Sequence, residues 1–246
     1  MAQIALITGA TSGIGKATAE LLADQGYHLI ICGRRKERLE ALQQELGQKT
    51  EVRILSFDVR DREAVFAALK DIGPVDVLIN NAGNAHGLAP IHEGNPDDWD
   101  AMLDINVKGV LYVTKCITPG MVARKSGHIV NIGSIAGKEV YPNGNVYCAS
   151  KHALDAINNG LRMELHSHNI RVSAIHPGLV ETEFSEVRFK GDTDRAKTVY
   201  QGFSPLQAKD IADTIGFVLN RPAHVNLSDI IIFPTAQAAS TMVHKE

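Results

Sequence analysis

A tyrosine and a lysine stand four residues apart in the segment Tyr147-Cys148-Ala149-Ser150-Lys151. On a helix this spacing places both side chains on one face, one turn apart. A free phenol has a pKa of about 10, and a neighbouring ammonium stabilises the phenolate and lowers that pKa. Such a pair can take a proton from an alcohol or return one to a carbonyl compound. Ser134, at the end of an apolar run, can donate a hydrogen bond to the same substrate oxygen.

Three glycines follow the first apolar run of the chain, in the segment TGATSGIG at positions 8–15. Glycines let the backbone turn sharply and approach a pyrophosphate, and a helix that starts beyond them offers free N–H groups. The spacing is not the G-x-G-x-x-G of the general dinucleotide fingerprint, which we therefore do not assign. Because the glycines stand between a predicted strand and a predicted helix, we predict an anion-binding turn. The alternative is a glycine-rich turn without a ligand.

Two arginines, Arg34 and Arg35, follow the second predicted strand. NAD-selective folds usually carry Asp or Glu here to bind the ribose hydroxyls, whereas a guanidinium suits a 2′-phosphate. We therefore predict NADP as the cofactor. The alternative is that both arginines are solvated charges at the start of the next helix.

These residues need a scaffold that brings the ends of several strands together. Short β-branched runs alternate with amphipathic stretches along the chain, which is typical of βαβ units feeding a parallel sheet. We predict an α/β fold with a Rossmann-like, doubly wound, seven-stranded parallel sheet and helices on both faces. A helix is predicted at 15–25, and another is predicted to begin after Asn95 as its N-cap. The predicted strands are 3–8, 28–33, 52–57, 75–80, 128–133, 171–176 and 230–233.

Length and composition favour one soluble domain spanning residues 1–246. The chain is 44% hydrophobic with a net charge of -3, which argues against a membrane span and against a basic surface for nucleic acid. The start of the chain has no secretory-signal pattern, so we expect a cytoplasmic protein. The three cysteines are expected to be reduced core thiols, and the close pair His166 and His168 lacks metal-ligand partners, so no metal site is predicted.

In their order along the chain, these motifs resemble the short-chain dehydrogenase/reductase family over nearly the whole length. The resemblance includes Asp58, the NNAG segment at 80–83, Asn106 and the segment 177–182. It implies stereospecific hydride transfer at nicotinamide C4, with Tyr147 exchanging the proton. It also implies that Asp58 contacts the adenine, that NNAG supports the sheet and ribose, and that Asn106 anchors a water extending a proton relay through Lys151.

The resemblance, together with the spacing arguments, defines the predicted site residues. The predicted catalytic residues are Asn106, Ser134, Tyr147 and Lys151. The predicted cofactor-binding residues are Gly9, Thr11, Ser12, Gly13, Ile14, Gly15, Arg34, Arg35, Asp58, Val59, Asn81, Ala82, Gly83, Tyr147, Lys151, Pro177, Gly178, Val180 and Thr182. The predicted substrate-contacting residues are Ser134, Tyr141, Tyr147, Phe184 and Arg188.

The segments 182–185, 187–192 and 232–235 also resemble one branch of the family, the NADP-dependent 3-hydroxy acid dehydrogenases for serine and allo-threonine. A mobile substrate loop with a short helix is expected at about 178–204. Within it, Arg188 can clamp a substrate carboxylate, or alternatively pair with the loop glutamates Glu181, Glu183 or Glu186. Asn145 is expected near the substrate or in local packing. His86 and His92 are expected on a solvated loop, and the alternative is that one of them borders the cleft after Asn84.

Three other functions are considered. A general NADPH-dependent carbonyl reductase of the same family would use the same residues on neutral substrates. A non-catalytic NADP-binding sensor is disfavoured by the intact Ser134, Tyr147 and Lys151. A sugar-nucleotide epimerase or dehydratase would need a further substrate domain, for which the residues after Lys151 leave no room. The resemblance further implies a homo-oligomer, a tetramer or a dimer, with interface faces on the helices that carry Asn106 and Tyr147.

Overall fold

The structure, a computed structural model, describes residues 2–246 as alternating strands and helices. The strands are β1 (Ile4–Thr8), β2 (His28–Gly33), β3 (Val52–Ser56), β4 (Val77–Asn80), β5 (Gly127–Ile132), β6 (Ile170–Pro177), β7 (Val180–Glu181), β8 (Leu206–Gln207), β9 (Asp229–Ile232), β10 (Gln237–Ala239) and β11 (Met242–Val243). The helices are α1 (Gly13–Asp24), α2 (Lys36–Leu46), α3 (Arg62–Leu69), α4 (Pro96–Leu103), α5 (Gly109–Arg124), α6 (Asn145–Leu165), α7 (Phe184–Arg188), α8 (Thr193–Thr198) and α9 (Ala208–Leu219).

A seven-stranded parallel sheet forms the centre of the molecule, with the strand order β3-β2-β1-β4-β5-β6-β9. The predicted Rossmann-like sheet is thereby confirmed, and the predicted strand ends lie within two residues of the observed ones. The chain leaves β1 toward one edge and returns to β4 on the other side of β1. In sheets of this kind the crevice at the carboxyl ends of the strands at this reversal is the usual ligand site.

Helices cover both faces of the sheet because successive side chains of each strand point to opposite sides. In β1, Ala5 and Ile7 pack with residues of α1, α2 and α9, whereas Leu6 packs with residues of α3 and α5. Both layers are almost fully buried, as expected for a sheet enclosed between helices. No helix within residues 2–246 has the length and apolar character needed to cross a membrane.

Local signals account for where the helices begin. The Asn95 side chain accepts a hydrogen bond of 3.0 Å from the Asp97 N–H and caps α4, as predicted, with Pro96 as the first helical residue. Helix α1 begins at Gly13, two residues before the predicted start. Between α4 and α5 a π turn, Asp104–Lys108, keeps the two helices continuous.

The expected substrate loop at 178–204 contains more regular structure than predicted. It holds two short helices, α7 and α8, rather than one, and β7 pairs with β8 beside it. The Gly87 N–H donates to the Arg188 carbonyl at 3.0 Å, which ties this segment to the loop after β4. The segment therefore lies against the ends of the central strands.

Candidate active site

A cleft of about 530 Å³ opens at the carboxyl ends of the central strands. It extends from Arg34 and Arg35, past the glycine turn, to Tyr147. All the predicted cofactor-binding residues except Gly15 line it, and so do all five predicted substrate-contacting residues. The fold therefore gathers residues from distant parts of the chain around one space.

The glycine turn connects β1 to α1. Gly9 and Gly13 have φ angles of 67° and 52°, a left-handed conformation that favours glycine. The hydroxyl of Thr8 accepts from the N–H groups of Asn81 and Ala82 at 3.1 and 3.0 Å, which joins the turn to the end of β4. Gly15 was predicted to bind the cofactor but does not line the cleft. A Cβ at this position would collide with the Gly9 carbonyl, so this glycine permits close packing of α1 behind the turn.

Ser134 follows β5 and begins a short 3₁₀ turn, Ile135–Gly137. Its backbone is extended, and its hydroxyl oxygen accepts a hydrogen bond of 3.1 Å from the Ala136 N–H. A hydroxyl has one proton to donate besides its accepting lone pairs. The Ser134 O–H can therefore donate into the cleft while the turn holds its oxygen.

Tyr147 and Lys151 lie on the first two turns of α6 and are 7% and 6% exposed. The Lys151 Nζ donates to the Ile132 carbonyl at 2.9 Å, and burial lowers the pKa of Lys151 to about 8. Burial and then the Tyr141 phenol raise the pKa of Tyr147, whereas the Ser134 hydroxyl and Arg188 act to lower it. The sequence analysis predicts a lowered pKa for Tyr147, with Lys151 and the oxidised nicotinamide as the cations; in the structure the chain's own groups raise the pKa overall, and the cation among them that opposes the rise is Arg188.

The sequence predicts Asn106 as catalytic, but it is not among the described residues that line the cleft. It sits in the π turn, where its Oδ1 accepts from the Asn84 N–H at 2.9 Å. Its Nδ2 donates to the Asn84 carbonyl at 2.8 Å and to the Ser150 hydroxyl at 3.0 Å. Asn106 thus fastens the loop after β4 to α6, and its role in a proton relay stays a prediction.

Arg35 and Arg38 converge on one carboxylate at the far end of the cleft. Arg35 donates to Glu183 at 2.8 Å and also to the hydroxyls of Thr11 and Ser12 at 2.9 and 2.8 Å. Arg38 donates to the other Glu183 oxygen at 2.6 Å. Burial alone would raise the pKa of the Glu183 carboxyl, but hydrogen bonds from the two arginines hold it below its usual value.

The sequence analysis missed Arg38 and Glu183 at this end of the cleft. Arg38 lies three positions after Arg35, the N-cap residue of α2, a spacing that could have marked the two as one cationic site. The alternative that the arginines are solvated charges is wrong for Arg35, which is held by three side chains. Arg34 instead faces Asp58, with 3.6 Å between the charged atoms.

Arg188 lies at the other end of the cleft, over two tyrosine rings. Its guanidinium carbon is 5.4 Å from the ring centre of Tyr147 and 5.6 Å from that of Tyr141. It donates to the Tyr141 hydroxyl at 2.8 Å and weakly to the Gly87 carbonyl at 3.4 Å. Among the described residues, Arg188 forms no ion pair with a glutamate of its own loop, so that alternative is wrong. Glu183 instead binds Arg35 and Arg38.

A cavity of about 50 Å³ adjoins the cleft at Tyr147 and Arg188. Asn145 lines it, and the buried Asn145 Oδ1 has no hydrogen-bond partner among the described residues. His86 also lines it, half-buried and 2.9 Å from the Asn84 amide, so the expectation of a solvated loop position is wrong for this histidine. Burial lowers the pKa of His86.

Comparisons with known proteins agree with this architecture. Residues 3–192 match the family model described as short chain dehydrogenase. The NADP-dependent 3-hydroxy acid dehydrogenase YdfG of Salmonella typhi is 43% identical, with 98% of this chain and 99% of that protein covered. Sulfoacetaldehyde reductase 2 of Chromohalobacter salexigens is 41% identical, with 98% and 97% covered. A solved closed form of serine dehydrogenase complexed with NADP+ superposes with a TM-score of 0.93 at 42% identity, covering 99% and 100% of the chains. The chain belongs to the short-chain dehydrogenase family.

Proposed function

We propose that this protein is an NADP-dependent oxidoreductase that interconverts a 3-hydroxy acid, such as serine or allo-threonine, and the corresponding 3-oxo acid. The observation that carries the proposal is the meeting of Ser134, Tyr147 and Lys151 in one cleft with the glycine turn and Arg35. Relatives named as 3-hydroxy acid dehydrogenases, similar along the whole chain, support it.

The residues present fit NADP. The left-handed Gly9 and Gly13 leave the turn without side chains where a pyrophosphate would approach, and α1 begins there with free N–H groups. Arg35 and Arg38 form a cationic pair suited to a 2′-phosphate at the other end. When bound, NADP supplies the nicotinamide carbon that takes the hydride in oxidation and returns it in reduction.

The proton is handled by Tyr147. In oxidation the Tyr147 phenolate accepts the proton of the substrate hydroxyl, and in reduction the phenol returns it to the carbonyl oxygen. Ser134 donates a hydrogen bond to the same oxygen and stabilises the negative charge that develops on it. A phenol of ordinary pKa, about 10, is protonated at neutral pH, and burial raises the pKa of Tyr147 further, so the residue has the form that reduction needs.

Arg188 selects substrates that carry an acid group. Its planar guanidinium lies beside Tyr147, where the reacting carbon must come, and it can hold a carboxylate through two parallel hydrogen bonds. Sulfoacetaldehyde, named in the function of one relative, also carries an anionic group close to its carbonyl, which fits a cation at this place.

The test of this function is a substrate panel. Serine, allo-threonine, 3-hydroxyisobutyrate and 3-hydroxypropionate are offered with NADP or NAD, and the NADPH formed is followed by absorbance. We expect turnover of at least one acid and a preference for NADP. Turnover of neutral carbonyl compounds alone would make the protein a general carbonyl reductase, and NADPH binding without any turnover would make it a sensor.

A second experiment examines Arg188 on an acidic substrate and on a neutral ketone. Arg188→Ala is expected to lower kcat/KM on the acid by roughly tenfold to a hundredfold, the usual effect of losing a hydrogen-bonded charge partner. The neutral ketone should change much less. Tyr141→Phe is the matched control, because it removes one hydrogen bond to Arg188 and keeps the guanidinium. An equal loss of kcat/KM on both substrates would contradict a role of Arg188 in selecting acidic substrates.

We further propose that the protein acts in the cytoplasm as a homodimer or homotetramer. Leu111 on α5 and Met163 on α6 are 43% and 74% exposed, and large exposed apolar side chains favour burial against another copy. Light scattering after size exclusion tests the assembly. A monomer at micromolar concentration would refute it.

A further inference from the structure

A buried histidine lies directly behind Ser134. His176, near the end of β6, is 1% exposed, and its Nδ1 is 3.2 Å from the carbonyl oxygen of Ser134. A carbonyl can only accept, so this contact is a hydrogen bond when Nδ1 carries the proton. The ring also packs against Gly133, where a Cβ would collide with Nδ1. The imidazole thus contacts the two residues that join β5 to the 3₁₀ turn.

Three charged side chains surround the outer edge of this imidazole. The Nε2 is 2.8 Å from Asp229 Oδ1 and 3.7 Å from Asp155 Oδ1, but neither contact has the geometry of a hydrogen bond, whereas the Nδ1 contact to Ser134 does. The ammonium of Lys138 bridges the same two carboxylates at 2.8 and 2.7 Å. We call Lys138, Asp155, His176 and Asp229 the His176 cluster. Its histidine and aspartates could in principle hold a metal ion, but the bridging ammonium already supplies the positive charge between the carboxylates.

The members of the His176 cluster come from the elements that carry the active site. Lys138 directly follows the 3₁₀ turn after Ser134, and Asp155 is one turn beyond Lys151 on α6. His176 precedes Pro177, which lines the cleft, and Asp229 begins β9. Salt bridges between partly buried groups of this kind restrict the orientation of the side chains they hold. The cluster therefore fixes the imidazole between β6 and the start of the 3₁₀ turn.

We propose that His176 is a positioning residue: together with the Gly137 N–H, which donates to the same oxygen at 2.8 Å, its Nδ1–H holds the Ser134 carbonyl, and through it the direction in which the Ser134 hydroxyl faces the substrate oxygen. The inference rests on the proposed reaction, in which that hydroxyl must donate to the reacting oxygen. A displacement of about 1 Å in such a donor can lower the rate by as much as a hundredfold.

Two substitutions that place an amide at different ring positions test this role. In His176→Asn the amide N–H stands near the place of Nδ1 and can still donate to Ser134. In His176→Gln the amide reaches the place of Nε2, toward Asp229, and does not reach the Ser134 carbonyl. We expect His176→Gln to lower kcat about tenfold or more, and His176→Asn to keep it within about threefold, because only the first loses the positioning contact.

The dissociation constant of NADPH and the urea midpoint are measured for both variants. We expect the NADPH constant to stay within about twofold in each, because the cofactor-binding residues are untouched. Equal losses of kcat in the two variants, or no loss in either, would overturn the proposal and leave His176 with a packing role. Failure of the wild-type protein to oxidise any member of the substrate panel would instead refute the proposed function.

Nitrogen NMR of the wild-type protein labelled in histidine gives a measurement that does not depend on variant folding. The resonance of His176 is identified as the one close to the Ser134 backbone in the folded protein. We expect Nδ1 to carry a proton. An Nδ1 without a proton would contradict the hydrogen bond to Ser134 and with it the positioning role.

Discussion

The burial of Lys151 in the active site lowers the stability of the folded protein. Its folded pKa of about 8 lies below the ordinary value of 10.5, so protonation in the folded protein is penalised. At pH below about 8 the side chain is charged both folded and unfolded, and the full penalty, about 3 kcal/mol for this shift, applies. The penalty decreases as pH rises from 8 toward 10.5.

Lys151→Met should therefore raise the free energy of unfolding at pH 7, by up to about 3 kcal/mol. The gain should shrink markedly near pH 10, because the wild-type lysine is then largely neutral when folded. Urea unfolding of both proteins at the two pH values measures the difference. The hydrogen bond to Ile132 that the substitution removes contributes to the difference at both pH values. A gain that does not vary with pH would therefore contradict a desolvation penalty on the buried ammonium.

Glu183 competes for the cations that we assign to the 2′-phosphate of NADP. Its carboxylate is bound by Arg35 and Arg38, so the 2′-phosphate must displace the carboxylate from these arginines to bind them. Glu183→Gln is expected to tighten NADPH binding roughly two- to fivefold, the size of one partly exposed ion pair. Fluorescence titration measures the dissociation constants, with NADH as the control because it lacks the phosphate. Equal tightening for NADPH and NADH would argue against a phosphate-specific effect.

Residue pairs close in sequence were predictable, whereas partners that folding brings together were not. The Tyr147 and Lys151 spacing identifies a shared helix face, and Arg34 and Arg35 mark the cofactor end. The partner of Arg188 is Tyr141, 47 positions earlier, and no local pattern indicates it. The same holds for Glu183, which lies 148 positions from Arg35.

Among the elements, the π turn between α4 and α5 determines where Asn106 points. The extra residue of a π turn disturbs the regular helical face, and such turns often occur at functional sites. Here the turn directs Asn106 to the backbone N–H and carbonyl of Asn84, both at hydrogen-bond distance. The sequence predicted a functional asparagine, but a π turn has no reliable sequence signal, so its actual contact was missed.

Asn106→Ala should lower the free energy of unfolding by about 2 kcal/mol or more, since it leaves buried polar groups of Asn84 without partners. It should also lower kcat, because the loop after β4 lines the cleft. Urea unfolding and steady-state kinetics measure both. Asp210→Ala is the control: it removes the capping box of α9, at a cost of about 1 kcal/mol, and Asp210 does not line the cleft. Full activity of Asn106→Ala despite the lower stability would contradict a link between this turn and the site.

For the whole molecule, alternation of apolar strands with amphipathic helices was sufficient to predict the seven-stranded sheet. Strands such as β1 and β2 are nearly continuous apolar runs, which is expected of a sheet covered on both faces. The pairs β7 with β8 and β10 with β11 were not predicted, since strands of two or three residues have no periodicity to detect. Beside β10, the Gln237 Oε1 accepts from the Leu179 N–H at 2.8 Å, which ties the C-terminal segment to the cleft.

The central claim is that Tyr147 exchanges the proton while NADP exchanges the hydride, and Tyr147→Phe tests it most directly. On the acid that the wild-type protein oxidises best, this variant should lose kcat by at least about a hundredfold, the usual contribution of a general acid or base. Its dissociation constant for NADPH should stay close to that of the wild type. A Tyr147→Phe protein that binds NADPH and keeps most of its kcat would contradict the account.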